Sequence, residues 1–321
     1  MTSTELSDIP LGRRVVVRYR LPAGSELRFT DVIGELTAID PVTVRTAEGA
    51  TVVIPDGTVV AVKPLGPRPI RTGEIRALEL AAAAGWPGTA HEWIDGWLLH
   101  AGAGYTRRAN SAVPLGAPGA PADLSHDTLH RIGRWYTDHG LPVQLRLPDR
   151  LAPPPPGWRT WGETVVLGLD IENFVLPQGP PMVRVDAEPN REWLELHRFA
   201  GEDAPAPLPP PPDPAVLTAV LDGEVGFATL GLPSPLAIGR GAITGSGDER
   251  TWVGLSCIAV AAPHRRHGLG ALVCAELIRW GHNRGATHAY VQVAAGNEAA
   301  LSLYRELGFL DHHRYRYCAP E

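Results

Sequence analysis

Ten residues near the C-terminal end, Ala261 to Gly270, gather the side chains best suited to chemistry: Ala-Ala-Pro-His-Arg-Arg-His-Gly-Leu-Gly. An apolar, strand-like run, Trp252–Ala261, enters this stretch, and a helical pattern from about Leu269 to Asn283 leaves it. Gly268 and Gly270 remove side chains where backbone must approach a ligand. The first N–H groups of a helix have no partner within it, and the helix dipole adds positive character there. Such a start favours an anion, most naturally a phosphate or pyrophosphate, and Arg265 and Arg266 add charge-assisted donors. His264 and His267 share an i, i+3 spacing, but no third ligand accompanies them, so a place beside the phosphates is expected and no metal. The stretch is not a dinucleotide fingerprint, because Gly-x-Gly-x-x-Gly and its downstream acid are missing. Cys257 reads as a small core residue of a buried strand rather than a nucleophile.

The elements that must position this stretch alternate between strand and helix. Glu224–Leu230 and Leu236–Ile243 precede it as strands, His288–Val293 follows, and a second helix is expected over Glu298–Leu307 before a terminal strand. Residues 11–64 differ. Val15–Tyr19, Asp31–Ala38, Thr43–Thr46, Thr51–Ile54 and Val59–Val62 are β-branched runs separated by turn clusters such as Glu48-Gly49. Five short strands with no helical period predict a small barrel of the SH3 type. Gly66-Pro67-Arg68-Pro69 makes a stiff linker. Beyond it we expect a helix over Thr72–Ala84 capped by Thr72, strands Trp93–Leu99 and Thr106–Val113, a helix capped by Ser125, and strands Val143–Leu147, Thr164–Asp170 and Pro181–Val185. Pro205 to Pro214 carries seven prolines and reads as an extended connector.

Composition excludes several classes. Lys63 is the single lysine beside 28 arginines, so no Gly-Lys phosphate loop exists, and a Schiff-base enzyme would depend on a residue in the barrel. A net charge of −6 offers no bulk attraction to nucleic acid or anionic membrane. Within residues 1–65, seven basic side chains face eight acidic ones, so the barrel is an ordinary solvated module. Three widely spaced cysteines form neither a disulfide framework nor a zinc knuckle. The opening MTSTELSDIP lacks the basic and apolar regions of a secretion signal, and no apolar run nears the ~20 residues of a membrane span. A cytoplasmic protein is expected.

Val260 followed by Arg265-x-x-Gly268-x-Gly270 resembles the pyrophosphate motif of the GCN5-related N-acetyltransferase (GNAT) superfamily. The resemblance continues in order, because Asn297-x-x-Ala300-x-x-Leu303-Tyr304-x-x-x-Gly308-Phe309 is similar to that superfamily's last helix. It implies acetyl-CoA as cofactor, lying in a gap between Trp252–Ala261 and His288–Val293. Ile258, Val260, Arg265, Arg266, His267, Gly268, Leu269, Gly270 and Asn297 would contact it. An amide near Ile258 would polarise the thioester carbonyl. Tyr304 corresponds to the general acid that protonates the departing sulfur. The family's general-base glutamate falls at Gly254, which has no side chain. Glu249, Asp248, Asp170 or Glu172 are the substitutes to test.

Residues 97–111, including Gly104-Tyr105-Thr106-Arg107-Arg108-Ala109-Asn110-Ser111, resemble the first lobe of tandem N-acetyltransferases. Gly157-Trp158 stands in place of the usual Gly-Phe. The stretch Gly116–Ala122, where a phosphate loop belongs, has no arginine and two prolines. The resemblance therefore implies an α/β (α+β) GNAT fold with tandem lobes and a mixed sheet, preceded by a small all-β SH3-like barrel. The divisions are 1–66 for the barrel, 70–185 for a degenerate lobe that shapes the acceptor pocket, and 186–321 for the catalytic lobe. A barrel before such a tandem also resembles a bacterial group labelled histone-acetyltransferase-like. Three readings stand: acetylation of a small-molecule primary amine by direct transfer, acetylation of a protein lysine, and a non-catalytic acyl-CoA-binding regulator.

Overall fold

A computed structural model describes residues 8–47, 49–66, 69–117, 120–175, 182–198 and 214–321. Glu48 of the expected turn, Pro67-Arg68 of the linker, Pro118-Gly119, Pro181 and most of the proline-rich connector lie outside these residues. The chain divides into two units, Met1–Pro69 and Ile70–Glu321.

The first unit is one antiparallel sheet of β1 (Arg14–Arg20), β2 (Phe29–Ile39), β3 (Val42–Thr46), β4 (Thr51–Val53) and β5 (Val59–Pro64), in the order β4-β3-β2-β1-β5. Period-2 alternation sends Val15, Val17, Val32, Leu36 and Val44 inward, where they pack with Ile54. A Cβ at Gly34 would lie 2.1 Å from the Arg45 carbonyl oxygen, so β2 and β3 approach here only because that residue is glycine.

The second unit begins with α1 (Thr72–Gly85), the hairpin β6 (Ala90–Ile94) and β7 (Trp97–Ala101), and β8 (Val113–Pro114). Then come α2 (His126–Asp138), β9 (Leu145–Pro148), β10 (Trp158–Asp170), β11 (Val183–Asp186), α3 (Arg191–Arg198) and α4 (Pro214–Thr218). The C-terminal part holds β12 (Glu224–Leu230), β13 (Ala237–Gly245), β14 (Thr251–Val260), α5 (Leu269–His282), β15 (His288–Ala294), α6 (Glu298–Glu306) and β16 (Leu310–Pro320).

Four local expectations need correction. Thr72 does not cap α1; Arg71 precedes it, and its backbone N–H donates to the Glu74 carboxylate at 2.7 Å. Trp93–Leu99 is not one strand, because Asp95 and Gly96 take left-handed φ of 46° and 87° and close a hairpin. Residues 106–113 form a 3₁₀ turn over Arg108–Asn110 rather than a strand. The helix α3 was not foreseen, although Asn190 accepts from the Trp193 N–H at 2.8 Å, an N-cap signal present in the sequence.

The larger correction concerns how the lobes divide. One mixed eight-stranded sheet, β11-β12-β13-β14-β15-β10-β16-β9, crosses the expected boundary at 185/186. The strand β10 lies between β15 and β16 and pairs with both, so the 70–185 segment supplies one central strand of this sheet, and β11 and β9 form its two edges. The physical reason is burial on both faces. Val165, Leu167 and Leu169 pack under α5 and α6, while Val166 packs under α1.

A buried ion triad joins α1, β9 and β16: the Glu79 carboxylate lies 2.9 Å from Arg146 Nη1 and 2.9 Å from His313 Nε2. Three other buried or half-buried histidines carry an acid-sensitive consequence. Burial lowers His100 from 6.5 to about 3, and lowers His197 and His312 to about 4. The unfolded chain binds these protons below about pH 6.5 and the folded chain does not. Stability is therefore complete above pH 6.5 and declines as pH falls toward 4. At pH 5 the His100 contribution alone is about 2 kcal/mol. Urea melts at pH 7.5 and 5.0 should show this loss, and His100→Leu, which removes two unpartnered buried ring nitrogens, should reduce it by the His100 share while His197 and His312 keep theirs. Equal stability at both pH values would contradict neutral buried imidazoles.

Candidate active site

The central feature is a parting of two parallel strands. Pairing between β14 and β15 runs from Trp252↔His288 to Leu255↔Val291 and stops, although β14 continues to Val260 and β15 to Ala294. On its other edge β14 stays paired with β13 to Val260 through a register shift. Ile238 faces Ala259 and Arg240 faces Ser256, so Gly239 stands opposite both Cys257 and Ile258. Two residues against one is a β-bulge. Cys257 takes φ of 54° to make it, and a Cβ at Gly239 would sit 2.7 Å from Ile258 Cδ1. The backbone beyond Ser256, including Ile258 and Val260, thus faces the gap without a strand partner. Cys257 packs beside Tyr105 and Ala259, and burial pushes its thiol up, which suits packing and not nucleophilic attack.

The gap ends at the α5 start. Gly268 caps α5 with φ of 74°, and no atom lies within 4 Å of where its Cβ would be. Arg266 and His267 are exposed, and Arg265 folds back to donate from Nε to the Val260 carbonyl at 3.3 Å. The α2 start is the opposite case. Ser125 Oγ takes the Thr128 N–H, and the Asp123 carboxylate accepts from Ser125 and Thr128. Asp95 adds a second carboxylate, bonded to Thr128 Oγ1 at 2.8 Å. The N–H groups of Gly116 and Ala117 are spent on Gly96 and Ala120. Negative charge already occupies the α2 end; the α5 end is bare.

Tyr304 and Asn297 come from α6. Asn297 Oδ1 caps that helix by accepting the Ala300 N–H at 3.1 Å, which leaves its Nδ2 toward solvent. Tyr304 is buried among Leu301, Phe309 and the α5 core, its ring edge-on to Phe309 at 5.7 Å. Its hydroxyl makes no hydrogen bond among the described residues, and burial raises its pKa well above the ordinary range. Gln292, one residue past the end of β14–β15 pairing, buries both side-chain amide atoms with no partner. A bare helix start, an orphaned amide and an unpartnered phenol border one gap, and that donor set fits a pantetheine-pyrophosphate arm.

Gly254 has a steric reason. A Cβ there would lie 2.2 Å from the Tyr290 hydroxyl, so this tyrosine fills the space a longer side chain would need. The four substitute carboxylates are not brought to the gap. Asp170 and Glu172 lie level with the start of β14 and β15, where Asp170 pairs with His288. Asp248 is engaged by Arg250 and Ser246, and Glu249 is exposed beside it. These positions are roughly 15 Å or more from the bulge along the strand.

A loop from the first half of the unit leans over this face of the sheet. Asn110 clamps it with four bonds, accepting from the Gly102 and Gly104 N–H groups and donating to the Tyr105 and Thr106 carbonyls. The loop presents Tyr105, whose hydroxyl bonds His197 Nε2, and Arg108. Neither Gln292 nor Tyr290 was singled out from sequence, and Arg108 entered only as part of the run that resembles a first lobe, since each is an ordinary residue until the fold assembles its neighbours.

Comparison with known proteins agrees with this geometry. Residues 72–318 match the family model described as "Probable histone acetyltransferase Rv0428c C-terminal", and residues 9–63 match "Rv0428c N-terminal Sm-like domain". The family description for the barrel is thus Sm-like. The "Probable histone acetyltransferase Rv0428c" of Mycobacterium tuberculosis is 40% identical over 96% of this chain and 94% of its own length. An uncharacterized N-acetyltransferase, YobR of Bacillus subtilis, is 29% identical over 76% of this chain and 98% of its own. Among solved structures, a GCN5-related N-acetyltransferase from Kribbella flavida superposes with a TM-score of 0.53 at 19% identity, covering 78% of this chain and 96% of that one. The chain belongs to the Rv0428c family: it is an N-acetyltransferase of the GNAT superfamily with an N-terminal Sm-like domain.

Proposed function

We propose that the protein transfers an acetyl group from acetyl-CoA to a small-molecule primary amine, directly and within a ternary complex. The parting of β14 from β15 beside the bare α5 start carries this reading. When bound, acetyl-CoA supplies the activated acetyl thioester. Gly268, Leu269 and Gly270 offer backbone N–H groups to the pyrophosphate, with Arg265, Arg266 and His267 beside them. The free edge of β14 at Ile258 and Val260 pairs with the pantetheine amides, and Asn297 Nδ2 and Gln292 supply further polar contacts. The bulge at Cys257–Ile258 turns a backbone N–H toward the reacting carbonyl. Tyr304 Oη holds the proton for the departing sulfur. With glycine at 254, the proton of the attacking amine passes to water or through Tyr105 to neutral His197.

Enclosure supports the small acceptor. The face of the sheet opposite α5 lies under α1, α3 and the 102–110 loop, with Trp86, Trp193 and Tyr290 buried there. Such a site encloses a compact amine better than it admits a polypeptide.

CoA should raise the melting temperature, and titration calorimetry should return one CoA per chain. Arg265→Glu with Gly268→Asp should abolish the shift. Aspartate fits at 268 because space is open, it tolerates left-handed φ, and it is a favoured helix cap, so the fold is kept while phosphate is repelled. An undiminished shift in the double variant, or two CoA per chain, would refute the assignment.

A further inference from the structure

We infer that the acceptor amine carries a carboxylate, and that Arg108 is the specificity residue that grips it. The inference deepens the reading above and rests on it.

Arg108 forms no ion pair among the described residues; the carboxylate its charge reaches, Glu79, is already held by Arg146 and His313. The Arg108 guanidinium also makes no hydrogen bond among the described residues, whereas the two buried arginines of this face are engaged and the exposed Arg107 lies over the Tyr317 ring. Arg146 meets Glu79, and Arg240 donates to the Leu217 carbonyl at 2.6 Å and the Ala219 carbonyl at 2.9 Å. Arg108 is only partly accessible, with its guanidinium carbon 6.0 Å from the centre of the Trp86 ring. Trp86 is itself fixed by donating to Thr106 Oγ1 at 3.1 Å, and it also carries Arg240 at 4.4 Å. The Arg108 charge acts on Tyr290, Tyr317, Cys257 and Tyr304, and on Glu79 behind the nearer Arg146 and His313. Trp86 packs in one cluster with Ala109, Tyr105 and the β14 bulge residues Cys257 and Ala259, which sets the guanidinium on the side of the sheet where β14 parts from β15.

An arginine keeps its charge in any protein environment, and its fork matches a carboxylate in bidentate fashion. Enclosing such a group without an anionic partner is unfavourable unless a ligand completes it. Three arginines face one buried carboxylate here, so the surplus positive charge repels polyamines and lysines embedded in cationic tails. The amine must point at the bulge for transfer, which leaves the opposite, anionic end of the acceptor for Arg108. One guanidinium over the Trp86 ring suits a monoanion. The 102–110 loop reaches this position because Asn110 satisfies four of its backbone groups, which holds the charge in place when no ligand is bound.

The test uses the twenty amino acids, β-alanine and 4-aminobutyrate, each beside its carboxamide or decarboxylated amine, with spermidine and a lysine-rich peptide as cationic rivals. Release of CoA is followed for the wild type, Arg108→Gln and Arg108→Lys. At least one carboxylate amine should exceed its uncharged counterpart by about 10²-fold in kcat/KM, as expected for charge-assisted hydrogen bonds. Arg108→Gln should erase that ratio by raising KM with kcat little changed, and Arg108→Lys should restore part of it. The CoA-induced thermal shift should be the same in all three proteins. A ratio that survives Arg108→Gln overturns the inference, as does turnover confined to the carboxamides or cationic rivals, or no turnover of any carboxylate amine. Loss of the CoA shift in the wild type itself would instead refute the cofactor reading on which it rests.

Discussion

Replacing Tyr304 with phenylalanine should lower kcat by roughly 10²–10⁴-fold while leaving the CoA dissociation constant unchanged. The structure separates the two roles of this side chain. Its ring is packed against Phe309 and the α5 core, and phenylalanine preserves that packing. Its hydroxyl has no bond among the described residues, so its removal orphans nothing. Burial raises the phenol, which keeps it protonated at neutral pH and ready to donate. An exposed thiolate has a conjugate pKa near 8.5, and a phenol that donates only as negative charge builds on sulfur acts late and selectively. The measurement is kcat beside the CoA dissociation constant. Wild-type kcat in the variant would end the general-acid role, and a low kcat with weakened CoA binding would show a structural defect instead.

The largest stability effect is expected at Glu79. Its carboxylate is fully buried between Arg146 and His313. The Arg146 contact is close but not aligned along an N–H axis, so it acts mainly through charge. Burial alone would push the Glu79 carboxyl up; the Arg146 charge and then the His313 hydrogen bond outweigh it and hold it below the ordinary range. Glu79→Gln leaves Arg146 buried and uncompensated, at a cost of about 3–5 kcal/mol. In a unit of this size that corresponds to a melting temperature lower by roughly 10 °C. Glu79→Leu combined with Arg146→Met removes both charges, and it should recover most of the loss. The pH signature runs with the depressed carboxyl: the contribution is complete above pH 4.5 and is lost as pH falls below it. Denaturant melts of the single and double variants read both effects. A single variant within 1 kcal/mol of wild type, about the effect of an ordinary surface pair, would show that the triad contributes little.

The local elements around the site were legible because their signals are local. The strand into Arg265-x-x-Gly268-x-Gly270, the helix after it and the Asn297–Phe309 pattern depend on apolar period, glycine position and capping, all within a few residues. The barrel strands were legible for the same reason. Errors arose where two periods meet. Trp93–Leu99 alternates well enough for one strand, yet Asp95-Gly96 is a hairpin turn, and the left-handed φ of these two residues decided the matter. The helix α3 is eight residues long, too short for its periodicity to outweigh the prolines around it.

By itself, then, the sequence determined the elements of the proposed cofactor end: a helix start stripped of side chains, flanked by arginines, and a tyrosine seven residues after an asparagine on the last helix. The residues of the proposed acceptor end are brought together only by the tertiary structure. No residue of β10 announces that it will lie between β15 and β16; its place follows from burying Val165, Leu167 and Leu169 on one face and Val166 on the other. Gly254 reads as a missing base until Tyr290, thirty-six residues later, is seen to occupy its space. Arg108 reads as one arginine among 28 until the fold sets it over Trp86 with no ion pair among the described residues. The difference is physical. Phosphate recognition uses backbone N–H groups whose direction is set by local chain conformation, whereas acceptor recognition uses side chains from remote segments whose burial and charge exist only after packing.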